Sequence, residues 1–304
     1  MVAQGGAQPS TGVLFGCTCT TKPDIHLELA ELFTYAEGSG TRTAEWQTAR
    51  LAAVDTASLE LAACAIANAA VAWRCVGTPA VHNSWVQAVT AGAKLSSEET
   101  ELFRAYVEHA FGLPDAPRDG KHRRGWLAEF LFYLLAERVG SQAGRSLVRV
   151  EGPDWHPTKP GPDSLAIWKK NDELEFRLWE IKQNVGSGPV SNSVGEATAQ
   201  LKESALKYLA QATSIARAGS AALSEDVQRL YGELALLWVR GSRQSGIGIS
   251  VTTTDSKVPK RCFSRVAKSF PKLLSASQIE GLVSGIGDFT EFADNVRDRV
   301  WMPL

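Results

Sequence analysis

Pro162-Asp163-Ser-Leu-Ala-Ile-Trp-Lys-Lys170-Asn-Asp-Glu173-Leu-Glu-Phe-Arg-Leu-Trp-Glu180-Ile-Lys182-Gln-Asn184 carries two apolar runs separated by a short polar turn. Asp163 to Lys169 and Leu174 to Gln183 read as strands, and Lys170-Asn-Asp-Glu173 reads as the hairpin between them. Along the second strand a two-residue period puts Glu180 and Lys182 on one face, with Trp179 and Ile181 on the other. Two charges on the face of a largely apolar strand need partners or a ligand, because an unpaired buried charge is costly.

The surrounding pattern alternates helix and strand. Upstream, Gly125 to Val139 has helical period, with Trp126, Phe130, Tyr133 and Leu134 on a broad apolar face and Glu129 among them. Ser146 to Glu151 is a short strand. Downstream, a polar loop from Asn184 to Ser193 leads into a long helix, Val194 to Ala218, containing Gln200, Lys202 and Lys207. A helix from Ser224 to about Arg240, a buried strand from Gly246 to Thr253 and an amphipathic helix from Asp288 to Val300 complete the pattern.

The first part of the chain reads differently. Ala44 to Ala53 and Thr56 to Val76 are rich in Ala and Leu and are expected to be helices. Ser96-Ser-Glu-Glu99 has the form of a capping box opening a helix to about Phe111. Gly112 to Gly120 then breaks the pattern. The expected organisation is a helical region over 1–120 and an α/β region over 121–304 with a central mixed sheet flanked by helices.

Composition bounds the function. In 304 residues, 32 Lys and Arg nearly balance 33 Asp and Glu, so no global basic charge points to nucleic acid. Local charge does: residues 1–120 hold 7 basic and 13 acidic side chains, net −6, whereas 121–304 hold 25 and 20, net +5. Lys121-His-Arg-Arg124 is one basic run. Arg243 to Lys272 is another, with seven basic residues against Asp255 alone, suited to a phosphate backbone.

The N-terminus has no basic cluster followed by an apolar run, and no window reaches the roughly 18 apolar residues of a membrane span. A soluble protein with no membrane partner is expected. Five scattered cysteines, an odd number, suggest a reduced, cytoplasmic setting; Cys17-Thr-Cys19 has no second pair at zinc-finger spacing. There is no phosphate-binding GxxxxGK[ST] loop, and Gly246-Ile-Gly248 is not a dinucleotide fingerprint, so ATP hydrolysis by this chain is not expected.

What remains is carboxylate chemistry. Asp163 and Glu180 offer hard oxygen ligands for Mg²⁺ or Mn²⁺, with the Ile181 carbonyl as a further ligand and Glu129 as an outer or second-metal carboxylate. Such an ion would activate water and offset charge on a scissile phosphate. Lys182 would position or deprotonate that water and stabilise the transition state. Pro153-Asp154 competes with Pro162-Asp163, but only Asp163 leads into an apolar strand. Glu137 competes with Glu129, which sits earlier among the aromatic residues.

Pro162-Asp163, sixteen intervening residues and Glu180-Ile-Lys182, preceded by a helical Glu129, resemble the PD-(D/E)xK nuclease superfamily. The resemblance covers about Gly125 to Thr253. It implies a restriction-endonuclease-like core and Mg²⁺- or Mn²⁺-dependent hydrolysis of DNA, with Glu129, Asp163, Glu180 and Lys182 catalytic and Gln200 as the glutamine of the following helix. The helical extension and C-terminal tail are similar to nuclease subunits of bacterial anti-phage systems, Hachiman first among them, which implies a helicase or ATPase partner. The competing expectation is a non-catalytic nucleic-acid-binding or assembly subunit that keeps this fold.

Overall fold

Seven strands make one mixed sheet in the computed structural model, which describes residues 29–38, 44–51, 55–115, 120–153, 163–218 and 223–304. The described elements begin with β1 (Phe33–Glu37), β2 (Glu45–Leu51), α1 (Thr56–Arg74), α2 (Pro79–Ala91), α3 (Ser97–Phe111) and α4 (Gly120–Gln142). They continue with β3 (Ser146–Val150), β4 (Ser164–Lys170), β5 (Glu173–Asn184), α5 (Val190–Ala218) and α6 (Glu225–Arg240). The last are β6 (Ser245–Thr254), α7 (Val266–Ser269), β7 (Ile279–Ile286) and α8 (Phe289–Trp301).

The strand order is β1-β2-β7-β6-β5-β4-β3. β3, β4 and β5 form an antiparallel meander, β5, β6, β7 and β2 run parallel, and β1 closes the other edge antiparallel to β2. The β4–β5 turn places Asn171 at φ 49° and Asp172 at φ 65°. Left-handed conformations at both central positions suit a two-residue hairpin, and Asn and Asp tolerate them.

The central strands β6 and β7 are buried on both faces, which parallel strands covered by other elements require. Two glycines there are packing requirements. A Cβ on Gly248 would lie 2.1 Å from the Trp179 ring, and one on Gly281 would lie 2.4 Å from the Phe263 ring.

α5, α6 and α7 cover one face of the sheet, burying Leu165, Ile167, Phe176 and Leu178 against Leu201, Leu209 and Leu234. α4 covers the other face, where Phe132 packs on Trp179 with ring centroids 4.5 Å apart. At the end of the sheet where β5 begins, Arg145 and Arg177 are buried with Glu280. Arg145 grips it through two nitrogens at 2.6 and 2.8 Å, and Arg177 Nε donates to it at 2.8 Å. Burial alone would raise the Glu280 carboxyl; the two guanidiniums overcome that and hold it below the usual carboxylate range.

The expected helix over Ala44–Ala53 is corrected: those residues supply β2. Ala content favours helix, but Trp46 and Thr48 alternate with Gln47 and Ala49. The strand hydrogen-bonds to β7 over six registered pairs, which outweighs intrinsic propensity. β1 and β7 had no counterpart in the sequence reading. The basic run Lys121–Arg124 lies inside the first turns of α4 rather than before a helix.

The chain divides into two compact units that are each discontinuous in sequence. One contains residues 29–51 and 120–291, hence the sheet; the other contains residues 55–115 and 292–304. The two strands β1 and β2 thus belong with the sheet and not with the helical region that precedes α4. Within the helical unit, α3 starts with the expected capping box: Ser96 Oγ accepts from Glu99 N–H, and Glu99 accepts from Ser96 N–H. Trp85 Nε1 donates to Val300 O at 2.8 Å, and Arg297 bonds the carbonyls of Phe111, Leu113 and Pro114. The Arg297 bonds satisfy open carbonyls at and just after the end of α3. No helix among the described residues is long and apolar enough to cross a membrane.

Candidate metal centre

Antiparallel pairing of β4 with β5 is described as far as Ser164 opposite Trp179. One step further sets Asp163 opposite Glu180 on the face covered by α5, where directly opposed residues have Cβ atoms about 4.5–5.5 Å apart. β5 continues beside β6 as far as Asn184, so its edge toward β4 presents backbone groups there. Asp163 uses one of them: its Oδ2 accepts the Ile181 N–H at 2.6 Å. A strand residue directs its N–H and C=O to the same side, so the Ile181 carbonyl faces this edge too.

Glu180 is fully buried. Its Oε1 accepts from Lys182 Nζ at 2.5 Å, while its Oε2 is buried with no donor. Lys182 also donates to Gln200 Oε1 at 3.0 Å, and Gln200 Nε2 donates to the Tyr208 hydroxyl at 3.3 Å. The structure therefore brings Asp163, Glu180, Lys182 and Gln200 together, with Ile181 contributing backbone.

Electrostatics follow from the geometry. Burial, and then the facing Asp163 charge, push the Glu180 carboxyl up to about 8. Burial also raises Asp163, against the opposing effects of the Ile181 N–H and Lys182. Burial works against a charged Lys182, but the Glu180 charge overcomes it and raises the ammonium above its ordinary range. Two facing carboxylates, one oxygen without a donor, leave room for one proton or one cation between them.

Among the described residues no group of three or more His, Cys, Asp and Glu side chains is arranged to hold a metal ion. A carboxylate pair still fits Mg²⁺, which keeps several waters and is commonly held by one or two carboxylates together with substrate phosphates. The donorless Glu180 Oε2 is the observation in favour of that fit.

Glu129 lies half-buried on α4, the helix whose Phe132 packs on Trp179, so it is carried over the sheet face opposite Glu180 and Lys182. Its rival Glu137 is half-buried on the same helix. Pro162 and Asp154 lie outside the described residues, as do Cys17 and Cys19. The start of α4 docks beside the site end of β5: Arg124 Nε donates to Gln183 Oε1 at 3.3 Å, and Gln183 Nε2 donates to the Lys121 carbonyl at 2.7 Å.

Two residues were missed from sequence. Tyr208 orients Gln200, and the charge of Glu196 on α5 adds to those favouring a protonated Lys182. Their signal was available: Glu196, Gln200 and Tyr208 fall on a four-residue step along one helix ridge. A pocket of about 740 Å³ lined by Tyr35, Gln47, Arg145 and Glu280 lies at the opposite end of the sheet, where Arg145 and Glu280 are paired with each other. No protein-family model matches the chain, and no curated protein matches it.

Proposed function

We propose that this chain is a Mg²⁺- or Mn²⁺-dependent nuclease that hydrolyses DNA phosphodiester bonds with a PD-(D/E)xK-type site. The observation that carries this reading is the facing pair Asp163 and Glu180, with one buried oxygen lacking a donor and a lysine in direct contact. Asp163 and Glu180 would hold the ion, with the Ile181 carbonyl at the same edge. When bound, the ion supplies Lewis-acid stabilisation of the phosphate and a more acidic water.

The remaining chemistry belongs to the protein. Lys182 stays protonated beside Glu180, so its part is to place positive charge against the developing phosphorane rather than to remove a proton. Gln200, oriented by Tyr208, accepts one Lys182 hydrogen and limits where the ammonium can point. Glu129 keeps a role only as a supporting acid carried by α4.

As part of the same proposal, the nuclease would act in anti-phage defence beside a helicase or ATPase, in a reducing cytoplasm. Free Cys64 and Cys75, both buried, and free Cys262 fit such a compartment. The test is cleavage of plasmid and labelled linear DNA with Mg²⁺, Mn²⁺ or EDTA, alone and with a co-purifying ATPase. Metal-dependent cutting lost in Asp163→Asn and Lys182→Met supports the reading. Metal binding and DNA binding without cutting under any of these conditions favours the non-catalytic subunit instead.

A further inference from the structure

The connection from β6 to β7 is a long strap whose outward side chains are cations. β6 and β7 are parallel neighbours, so the chain leaving Thr254 must return the full length of β6 before β7 begins, about 30 Å for ten strand residues. Between Ser256 and Ser275 it contains no acidic residue. Phe263, Val266, Phe270 and Leu273 face inward and are buried in the core cluster, with Phe263 over the bare backbone of Gly281; Leu274, near the far end, is exposed.

The cations take the other side. Lys260, Arg261, Arg265 and Lys268 are exposed, and among the described residues none of the four has an ion-pair partner. The two ends are pinned. Near the candidate centre, Lys257 Nζ donates to the Gly186 carbonyl at 2.6 Å, in the loop that follows β5. At the far end Lys272 Nζ donates to the Val239 carbonyl at 3.1 Å. The one acid at the start of the strap, Asp255, is engaged by Arg50 at 3.1 Å.

We infer that this strap is a phosphate-backbone track that holds nucleic acid leading away from the candidate metal centre. The inference rests on the nuclease reading for its direction but not for its chemistry. Four unpaired cations held on a clamped segment that starts at the site end of β5 present a fixed row of charge. One DNA strand carries a phosphate every 3.4 Å or so, so a row this long faces several phosphates. Contacts of this kind position a polymer without reading its sequence. The neighbouring helix α5 carries Lys202, Lys207 and Arg217 against Glu196 and Glu203, a net of only +1 over 29 residues, which leaves the strap as the main source of net charge.

The test is binding of a fluorescein-labelled 30-base-pair duplex to the full chain in EDTA, where no metal-dependent cleavage interferes, across a series of salt concentrations. The variant is Lys260→Gln, Arg261→Gln, Arg265→Gln and Lys268→Gln together, all exposed positions, with its thermal melt checked against wild type. Duplex affinity near 0.1 M salt is expected to fall at least about tenfold. The slope of log K against log salt is expected to fall by about 3 to 4, from roughly 0.9 per lost contact.

An unchanged affinity and slope in a folded variant overturns the track. So does a wild-type chain that binds a polyglutamate peptide as tightly as the duplex, which would make the strap a site for an acidic protein. Because binding is read without cleavage, a catalytically silent chain whose variant still loses binding keeps the track and loses only the nuclease reading.

Discussion

Replacing Glu180 with Gln should stabilise the metal-free protein in a pH-dependent way, and the size follows from the geometry of the pair. In the unfolded chain the Glu180 carboxyl releases its proton near its ordinary 4.5; in the folded chain burial and Asp163 keep the proton on until about 8. Between those values the folded state binds one proton more than the unfolded state, so stability falls as pH rises. The slope is about 1.4 kcal/mol per pH unit, which is roughly 3 kcal/mol by pH 7, and it levels off above about pH 8. In a chain of 304 residues that corresponds to a lowering of the melting temperature by roughly 5 °C. The Gln side chain carries no such proton and donates to Asp163 besides. Melting wild type and Glu180→Gln in EDTA at pH 5.5, 6.5, 7.5 and 8.5 isolates the contribution as the difference between the two curves. Mg²⁺ competes with the same proton, so its stabilisation of wild type should grow as pH rises toward 8 and vanish in the variant. Parallel curves for the two proteins, or a Mg²⁺ shift equal at pH 5.5 and 8.5, would refute the claim that these carboxylates face one another without a donor.

Three further outcomes separate the roles of other residues. Lys182→Met should keep Mg²⁺ binding, measured by calorimetry, while the single-turnover cleavage rate falls by about 10²–10³, the usual loss when one charge stabiliser is removed. Glu129→Gln should reduce that rate by less than about tenfold, since α4 carries it over the opposite face; a loss equal to that of Asp163→Asn would place it in the metal shell. Arg177→Met leaves Glu280 buried with one guanidinium fewer and should cost about 3–5 kcal/mol in urea unfolding, with Mg²⁺ affinity unchanged because the cluster lies at the other end of β5.

The hairpin and its two faces were legible because the signals there agree: alternation, a two-residue polar turn and strand-forming residues all point the same way. The helix α3 was legible from its capping box. β2 was not, because Ala44–Ala53 has helical composition and becomes a strand only through pairing with β7, some 230 residues away in the chain. β7 itself, Ile279-Glu-Gly-Leu-Val-Ser-Gly-Ile286, hides for a related reason. Its glycine at 281 is imposed by the Phe263 ring and its glutamate by two arginines from distant segments. Of the candidate site, the Asp163, Glu180 and Lys182 set was readable from period and spacing. The sidedness of Glu129 was not, since a helix that precedes a sheet can lie on either face until the packing of its aromatic residues decides.

The position of the carboxylate pair follows from unequal strand lengths. β5 has twelve residues and β4 has seven. β6 supports β5 to its end, so the last residues of β5 stay extended after the described pairing with β4 stops at Trp179. A strand held on one edge only would leave the Ile181 N–H without its ladder partner, and an unmet buried donor is costly. Asp163 meets that need, which explains why a carboxylate stands at the mouth of β4 at all. Its arrival opposite Glu180 then creates the second problem, two buried carboxylates with one lysine between them. Lys182 answers one oxygen of Glu180 and leaves the other without a donor. A purely structural solution would place an amide at one of these positions and satisfy both needs. Two acids in place of one amide meet both needs only while they share a proton; once it leaves, the pair carries a buried charge that a bound cation would offset, and this is the physical reason to look for the activity at this edge.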